Sequence, residues 1–208
     1  MQLQNYYYWF KDAIPHHVCD DIVRYAKSIQ DQMAVTGGYG DKKLNKKEVQ
    51  DLKKKRDSDI VWLNERWIYN AIHPYIHQAN RDANWNFQWD FSESCQFTKY
   101  KKGQYYDWHC DSWDRPYHKP EEPNSHGKQR KLSVTLSLSD DKEYSGGELE
   151  FDLRNKDPDK KRNTHVLKEI RSKGSLVVFP SDVWHRVKPV KRGVRHSLVI
   201  WNLGYPFK

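Results

Sequence analysis

The sequence predicts a mainly β (α+β) protein, in which an antiparallel β-sandwich or barrel follows two helices. Two observations favour this class. Before residue 84, apolar side chains recur at helical spacing in two segments. After residue 84, short alternating runs are separated by Gly- and Pro-containing turns, which is typical of antiparallel sheets. A chain of 208 residues is long enough for one domain with a substantial core.

Residues 1–85 are predicted to form an N-terminal helical support region. Apolar spacing indicates helices over residues 17–30 and 64–80, and Pro74 favours a kink or break in the second. Between them lies a Lys-rich segment, residues 41–59. We predict a flexible loop or a short exposed helix there, because its many charges make burial costly.

Residues 86–208 are predicted to form the β core, within a domain that is compact overall. Residues 114–128 are rich in Pro, His and charge, and we expect a long loop that is a candidate lid. The basic insertion at residues 152–173 is longer than a minimal hairpin, and its shape stays open. Strands are predicted over residues 6–10, 58–63, 86–91, 94–101, 105–110, 131–138, 148–153, 164–169, 175–179, 184–188 and 194–203.

Composition limits the function classes. The net charge of +8 favours an acidic partner or surface, but a basic, solvated face is the more common explanation. Cys19, Cys95 and Cys110 are too far apart for a zinc knuckle, and their sparse, odd number suits a reducing compartment. The start of the chain lacks a secretory pattern, and no apolar stretch approaches the roughly 20 residues of a membrane helix. We therefore expect a cytoplasmic protein without membrane contact.

One short motif carries metal-binding chemistry. In His109-Cys110-Asp111, the outer two residues point to the same side of a strand because strand side chains alternate. His185, from a distant strand, can complete three ligands on one face of a metal. Two His and one carboxylate with the opposite face open is the arrangement that holds non-haem Fe(II). The same alternation places Asp107 beside His109 and turns Tyr106, Trp108 and Cys110 to the other face.

Arg195 follows His185 by ten residues. We expect the Arg192-Gly193 turn to fold the Arg195 strand antiparallel beside the His185 strand. A buried Arg needs an anion, and its guanidinium suits a carboxylate, so a dicarboxylate can reach from Arg195 to the metal. Two strands are predicted to turn an apolar face to helices and a polar face to one pocket. The pocket-facing residues are Ser133, Thr135 and Ser137 on one strand, and Arg195, Ser197, Val199 and Trp201 on the other.

These motifs resemble the Fe(II)/2-oxoglutarate-dependent dioxygenases, in the prolyl 4-hydroxylase-like branch that includes the PKHD-type hydroxylases. The resemblance covers about residues 94–203. It rests on three blocks: YKKGQYYDWHCD, RKLSVTLSLSDDKEYSGGELEF and GSLVVFPSDVWHRVKPVKRGVRHSLVIW. The first matches Y-x-x-G-x-x-Y-x-x-H-x-D, the second carries GGEL, and the third carries the distal His and the Arg ten residues later.

The resemblance implies a double-stranded β-helix (jelly roll, cupin-like) with supporting N-terminal helices. It implies Fe(II), 2-oxoglutarate as cosubstrate and O₂, and it leaves ascorbate open as an additional cofactor. The residues that it assigns are His109, Asp111 and His185 as catalytic iron ligands, and Arg195, Tyr100 and Ser133 as cosubstrate contacts.

The implied reaction is hydroxylation of a protein or peptide side chain, with proline as one candidate acceptor, coupled to oxidative decarboxylation of 2-oxoglutarate to succinate and CO₂. Asp111 distinguishes the chain from related halogenases, and Trp201 replaces an arginine of nucleobase-dealkylating relatives. A small-molecule or free amino-acid hydroxylase stays open. So does a non-catalytic nucleic-acid-binding jelly roll, using residues 42–56 and 160–162, although interspersed acidic residues disfavour it.

Overall fold

The computed structural model describes residues 5–34, 45–153 and 163–207. The predicted cluster at residues 160–162 lies outside them. The helices are α1 (His16–Lys27), α2 (Lys46–Lys55) and α3 (Arg66–Asp82). The strands are β1 (Tyr8–Phe10), β2 (Gln32–Met33), β3 (Arg56–Asp57), β4 (Asp59–Leu63), β5 (Phe91–Ser92), β6 (Cys95–Tyr100), β7 (Tyr105–His109), β8 (Gln129–Ser137), β9 (Tyr144–Gly146), β10 (Leu149–Asp152), β11 (Thr164–Val166), β12 (Leu176–Pro180), β13 (Trp184–Val187), β14 (Val190–Gly193) and β15 (Arg195–Gly204).

Two antiparallel sheets form the core of the described chain. The larger has the order β1-β12-β8-β15-β6-β4-β2, with β5 also paired to β15, and the smaller has the order β11-β10-β13-β7-β3. Strands β9 and β14 form a separate short ladder. The chain passes from β6 in the larger sheet to β7 in the smaller one and back to β8, and it crosses again from β12 to β13. This alternation confirms the expected double-stranded β-helix.

The predicted pairing of the His185 and Arg195 strands is wrong. Strand β13, with His185, lies between β10 and β7 in the smaller sheet, whereas β15, with Arg195, lies between β8 and β6 in the larger one. The Arg192-Gly193 segment belongs to β14, which pairs with β9. Because β14 intervenes, the chain crosses between the sheets instead of folding back within one.

Helices α1 and α3 cover the outer face of the larger sheet. Ile68, Ile72 and Ile76 of α3 recur every four residues and are fully buried, together with Ile22 of α1. Opposite them lie the apolar side chains of β8 and β15: Leu132, Val134, Leu136, Leu198 and Ile200. The predicted division of these strands into an apolar and a polar face is therefore confirmed.

The predicted interruption at Pro74 does not break α3, which runs through it from Arg66 to Asp82. Pro74 lies on the exposed face, while Ile72 and Ile76 on either side are buried. An internal proline costs about 3 kcal/mol, a cost that burial of two isoleucines, at about 1.5–3 kcal/mol each, can offset.

Of the two predictions for the Lys-rich segment, the short exposed helix is confirmed in its described part. Within the described part, α2 begins at a capping box in which Asn45 and Glu48 bond each other's backbone N–H, and Leu52 packs inward. The segment then enters β3 and β4, which pair with β7 and β6. The N-terminal region thus supplies strands to both sheets as well as helices.

The strand predicted over residues 86–91 does not form, and only Phe91 of that range enters β5. Instead, Asn80 donates to the Phe87 carbonyl and accepts from the Phe87 N–H, which replaces a strand partner. Residues 114–128 contain neither helix nor strand, as predicted for a loop. None of the described helices is long and apolar enough to cross a membrane, and all three cysteines are free.

Candidate active site

Three predicted metal ligands meet between the two sheets. His109 ends β7, Asp111 follows it, and His185 lies beside His109 on β13. Their ligand atoms all lie within 4.8 Å of one another. The distance from Asp111 to His109 Nε2 is 3.8 Å, and from Asp111 to His185 Nε2 it is 3.6 Å. All three side chains are largely buried, so the cluster is shielded from bulk water.

Backbone carbonyls fix the orientation of both imidazoles. His109 Nδ1 lies 2.7 Å from the Asp107 carbonyl oxygen, and His185 Nδ1 lies 3.0 Å from that of Val183. A carbonyl only accepts, so each Nδ1 carries a proton and each Nε2 is the nitrogen that faces the cluster. Burial, followed by the charge of His185, holds the pKa of His109 well below its usual range. The neutral imidazole that a metal requires is therefore favoured.

Asp111 is held by two serines and the turn before β13. Ser133 Oγ donates to Asp111 Oδ2 at 2.7 Å and lies 2.9 Å from Ser181 Oγ. The Ser181 carbonyl accepts from the Asp111 N–H at 2.8 Å. Burial opposes ionisation of Asp111, but His185 and then His109 bring its pKa below the ordinary value. The carboxylate is therefore charged, oriented and ready to bind a cation.

A β-bulge brings Tyr106 onto the metal-facing side. His185 pairs with His109, and Val187 pairs with Tyr106. The paired residues are three positions apart on β7 but two apart on β13, so β7 carries one extra residue. The Tyr106 and His109 rings consequently stack, with centroids 3.5 Å apart. Asp107 is exposed instead of lying beside His109. Simple alternation therefore misplaced Tyr106 and Asp107, because it takes no account of an extra residue.

The predicted anion-binding residues lie in the same pocket, but on the larger sheet. Arg195 on β15 is directly opposite Tyr100 on β6, and both are buried. The Arg195 guanidinium lies 5.5 Å from the Tyr100 ring centroid and donates to Ser197 Oγ at 3.1 Å. The pocket is also lined by His109, Asp111 and His185. The three metal ligands and the buried Arg195 therefore line the same pocket, which lies between the two sheets.

Gly147 leaves room for Arg195. Its φ is +64°, and a Cβ there would lie 3.0 Å from both Arg195 Cδ and Val190 Cγ2. The GGEL motif therefore combines a left-handed turn with a close approach that a larger residue would obstruct.

Ser133 lies behind the metal cluster, since its hydroxyl contacts Asp111 and not the Arg195 end of the pocket. On the same strand, Thr135 lines the pocket that contains Arg195 and Tyr100. A direct contact between Ser133 and the cosubstrate stays a prediction.

Arg56 is a pocket residue that sequence analysis missed. It was assigned to the basic run, but its side chain is only 4 % exposed and lies over Tyr106, 4.6 Å from the ring centroid. Arg56 Nε donates to Ser58 Oγ at 3.0 Å, and Nη1 lies 3.5 Å from Gln96 Oε1. Its Nη2 has no hydrogen-bond partner among the described residues. Arg56 ends a run of lysines, and this position in the sequence does not indicate that its side chain is buried.

A second bulge lies on β8, beside the pocket residue Trp201. Asn202 pairs with Leu132 but Leu203 pairs with Arg130, so β8 carries an extra residue, Lys131. Arg130 consequently lies over the ring of the pocket residue Trp201, 3.8 Å from its centroid, and its Nη1 lies 3.5 Å from the Asp111 carbonyl oxygen.

The residues present fit the groups that such a site would hold. Two imidazoles and a carboxylate are the donors that suit Fe(II), and the buried arginine suits a carboxylate. The space left between the side chains is narrow, about 30 Å³.

This fold and site together define a non-haem oxygenase type of jelly roll. The chain belongs to the 2OG-Fe(II) oxygenase superfamily, whose family model matches residues 95–202. PKHD-type hydroxylases are among its relatives. One from Pseudoalteromonas atlantica is 34% identical over 108 residues, 51% of this chain and 41% of the relative. One from a Synechococcus strain is 38% identical over 104 residues, 50% of this chain and 38% of the relative. The chain thus matches about two fifths of these relatives' length.

Solved structures show the same fold. A prolyl-4-hydroxylase from Pseudomonas putida superposes with a TM-score of 0.64 at 19% identity, covering 96% of this chain and 92% of that one. The 2OG complex of a viral collagen prolyl hydroxylase from Paramecium bursaria Chlorella virus-1 gives 0.63 at 18% identity, covering 97% of each chain. A Trichoplax adhaerens prolyl hydroxylase with a bound peptide fragment of hypoxia inducible factor gives 0.60 at 15% identity, covering 96% of this chain and 84% of that one.

Proposed function

We propose that this protein is a 2-oxoglutarate-dependent Fe(II) dioxygenase that hydroxylates a protein or peptide side chain, with proline as the first acceptor to test. The observation that carries the proposal is the convergence of His109, Asp111 and His185 in one pocket with the buried Arg195. Family membership supports the chemistry, and the predicted cytoplasmic location agrees with the three free cysteines.

Each site residue has a distinct task in this proposal. His109, Asp111 and His185 would hold the iron, and Arg195 would receive the far carboxylate of 2-oxoglutarate. Iron and 2-oxoglutarate, when bound, supply the O₂ activation that places an oxygen atom on a carbon of the substrate. Tyr106 shields the cluster from water, and burial raises the pKa of its phenol to about 12, so it stays neutral.

Two free hydrogen-bond donors favour a substrate with carbonyl oxygens. Arg56 Nη2 and Trp201 Nε1 are buried, belong to pocket-lining residues and have no acceptor among the described residues. A buried donor without an acceptor is costly, so a bound group that supplies oxygen atoms is favoured. Peptide carbonyls meet this need, and a peptide is bound by the Trichoplax neighbour in its own structure.

A free amino acid is the second candidate, because its carboxylate also offers two acceptors to Arg56. A peptide substrate and a free amino acid are distinguished by whether the enzyme requires peptide bonds on either side of the residue that it hydroxylates. A nucleic-acid-binding role has less support. Arg56 of the predicted basic run is buried in the pocket, and Glu48 and Asp51 lie among the lysines of α2.

The proposal is tested by incubating the protein with Fe(II), 2-oxoglutarate and O₂, together with either a proline-containing peptide pool or free amino acids. We expect peptides to gain one oxygen atom by mass spectrometry, with matching succinate, and free proline to stay unmodified. His185→Ala should abolish both products, while His17→Ala, at an exposed position of α1, should not. Oxidation of free amino acids alone would replace the peptide assignment. Failure of both pools to stimulate succinate formation would contradict it.

Arg56→Met provides a sharper test of the substrate contact. It should reduce peptide hydroxylation while leaving succinate formation in the absence of peptide near the wild-type rate. Equal loss of both would assign Arg56 to the cosubstrate instead.

A further inference from the structure

A second cavity lies away from the metal cluster, and the two share no lining residue. Its volume is about 1060 Å³, close to the upper end of the size range of pockets that hold small organic ligands. It lies between residues 85–90 and the segment after β15. Its aromatic walls are Trp85, Phe87, Trp89, Tyr205 and Phe207.

Lys131 brings a buried positive charge into this cavity. The residue is only 3 % exposed, and its Nζ has no hydrogen-bond partner among the described residues. The ammonium lies 3.3 Å from the centroid of the Phe207 ring. Burial lowers the pKa of Lys131, as expected for a cation that has lost water without gaining an anion.

No acid in the described cavity wall compensates this charge. Asp90 lines the cavity, but its carboxylate pairs with Lys128 Nζ at 2.7 Å. The bulge on β8 explains how a lysine comes to be here, because the extra residue turns Lys131 toward this cavity and Arg130 toward Trp201. Bulges of this kind re-aim side chains next to functional sites.

Hydrogen bonds and a close backbone contact hold part of the cavity wall in place. Asn80 holds Phe87 by two hydrogen bonds, and Trp85 Nε1 donates to the Asn5 carbonyl at 2.7 Å. At Gly204, an added Cβ would lie 2.1 Å from the Gln88 carbonyl oxygen, so the two walls approach as closely as backbone allows. The Trp85–Phe87 side of the cavity is therefore held in place by the protein itself.

We propose that this cavity binds a small aromatic carboxylate. Flat aromatic walls favour an apolar ring system, and a buried ammonium without a counterion favours one negative charge beside it. The site is separate from the 2-oxoglutarate pocket, and its test requires neither iron nor turnover. Its outcome is therefore independent of the proposed function.

The probe is 2-naphthoate, titrated into the metal-free protein by calorimetry, with 2-naphthalenemethanol as the neutral match. We expect saturable 1:1 binding of naphthoate. Lys131→Met keeps the apolar stem but removes the charge, so it should weaken naphthoate binding at least about tenfold and leave the alcohol unchanged. Lys102→Met, an exposed lysine, should leave naphthoate binding unchanged.

Arg195→Met distinguishes the two anion-binding positions, and it too should leave naphthoate binding unchanged. Wild-type protein that fails to bind naphthoate would overturn the proposal, as would Lys131→Met binding it as tightly as wild type. Loss of naphthoate binding in Arg195→Met alone would place the ligand in the metal pocket and overturn it equally. Self-association of the protein that naphthoate cannot displace would assign the cavity to a second copy of the chain.

Discussion

The Ser133 hydroxyl donates a 2.7 Å hydrogen bond to Asp111 Oδ2, on the side of the carboxylate that faces β8. This contact fixes one carboxylate oxygen and leaves Oδ1 nearer His109. Outer hydrogen bonds of this kind orient a ligand before the metal binds, and their loss lowers metal affinity.

Ser133→Ala should therefore weaken divalent metal binding by about tenfold without unfolding the protein. Anaerobic titration with Co(II), followed by its visible absorbance, measures the affinity. Ser137→Ala is the matched control, because Ser137 lies on the same strand but donates to the Ser139 carbonyl. Equal affinities of the Ser133 and Ser137 variants would show that the hydrogen bond does not support the metal ligand.

Gly147→Ala should impair 2-oxoglutarate binding, because its Cβ would press against Arg195 Cδ. Gly103→Ala controls for backbone strain: its φ is +87°, but no atom lies within 4 Å of the added Cβ. Both variants should lose about 1 kcal/mol or more of stability. Only Gly147→Ala should raise the Kd of 2-oxoglutarate, measured calorimetrically with Mn(II). A similar rise in both variants would contradict the role of Gly147 in accommodating Arg195.

His196 should make the protein less stable at acidic pH. Burial, followed by nearby Lys27, lowers its pKa to about 4, below the ordinary value of about 6.5 in the unfolded chain. The unfolded state therefore binds the proton first. Stability from this group is present above about pH 6.5 and is lost as pH falls toward 4, by about 1–3 kcal/mol.

Denaturant unfolding of wild type and His196→Gln at pH 7 and pH 5 measures this effect. The glutamine variant should lose less stability between the two pH values than wild type does, because it has no proton to bind. His118→Gln, in the exposed loop, should behave like wild type. A pH dependence unchanged by His196→Gln would refute the assignment.

We propose that the N-terminal helices and the β core unfold as one cooperative unit, because Ile68, Ile72 and Ile76 share a core with β8 and β15. Ile72→Ala should cost about 2–5 kcal/mol, whereas Asn70→Ala, on the exposed face, should change stability by less than about 0.5 kcal/mol. Urea transitions followed by circular dichroism and by tryptophan fluorescence should coincide in both variants. Separate transitions would indicate that residues 1–85 form an independent unit.

Local patterns predicted much of this fold. Period-two alternation identified the two faces of β8 and β15, and four-residue spacing identified α1 and α3. The spacing of His109, Asp111, His185 and Arg195 predicted a cluster that the structure brings together. These features depend on neighbours in the sequence, which is why they are readable from it.

The remaining features depend on long-range geometry. The bulges in β7 and at Lys131 in β8 turn Tyr106 and Arg130 to the face of the strand opposite to the one that simple alternation predicts. The local composition does not indicate that either strand carries an extra residue. Burial of Arg56 depends on β3 pairing with β7, which lies far along the chain. His185 and Arg195 lie in different sheets because the chain crosses from one sheet to the other between β13 and β15. The Arg192-Gly193 turn motif alone cannot specify this crossing.

The most direct test of the central claim is anaerobic addition of Fe(II) and then 2-oxoglutarate, followed by the weak visible charge-transfer band of the chelate. Wild type should develop the band, and His109→Ala should not. Arg195→Met should need at least about tenfold more 2-oxoglutarate, while Arg56→Met, an arginine of the same pocket, should resemble wild type. A wild-type protein that shows neither the band nor 2-oxoglutarate binding would contradict the account.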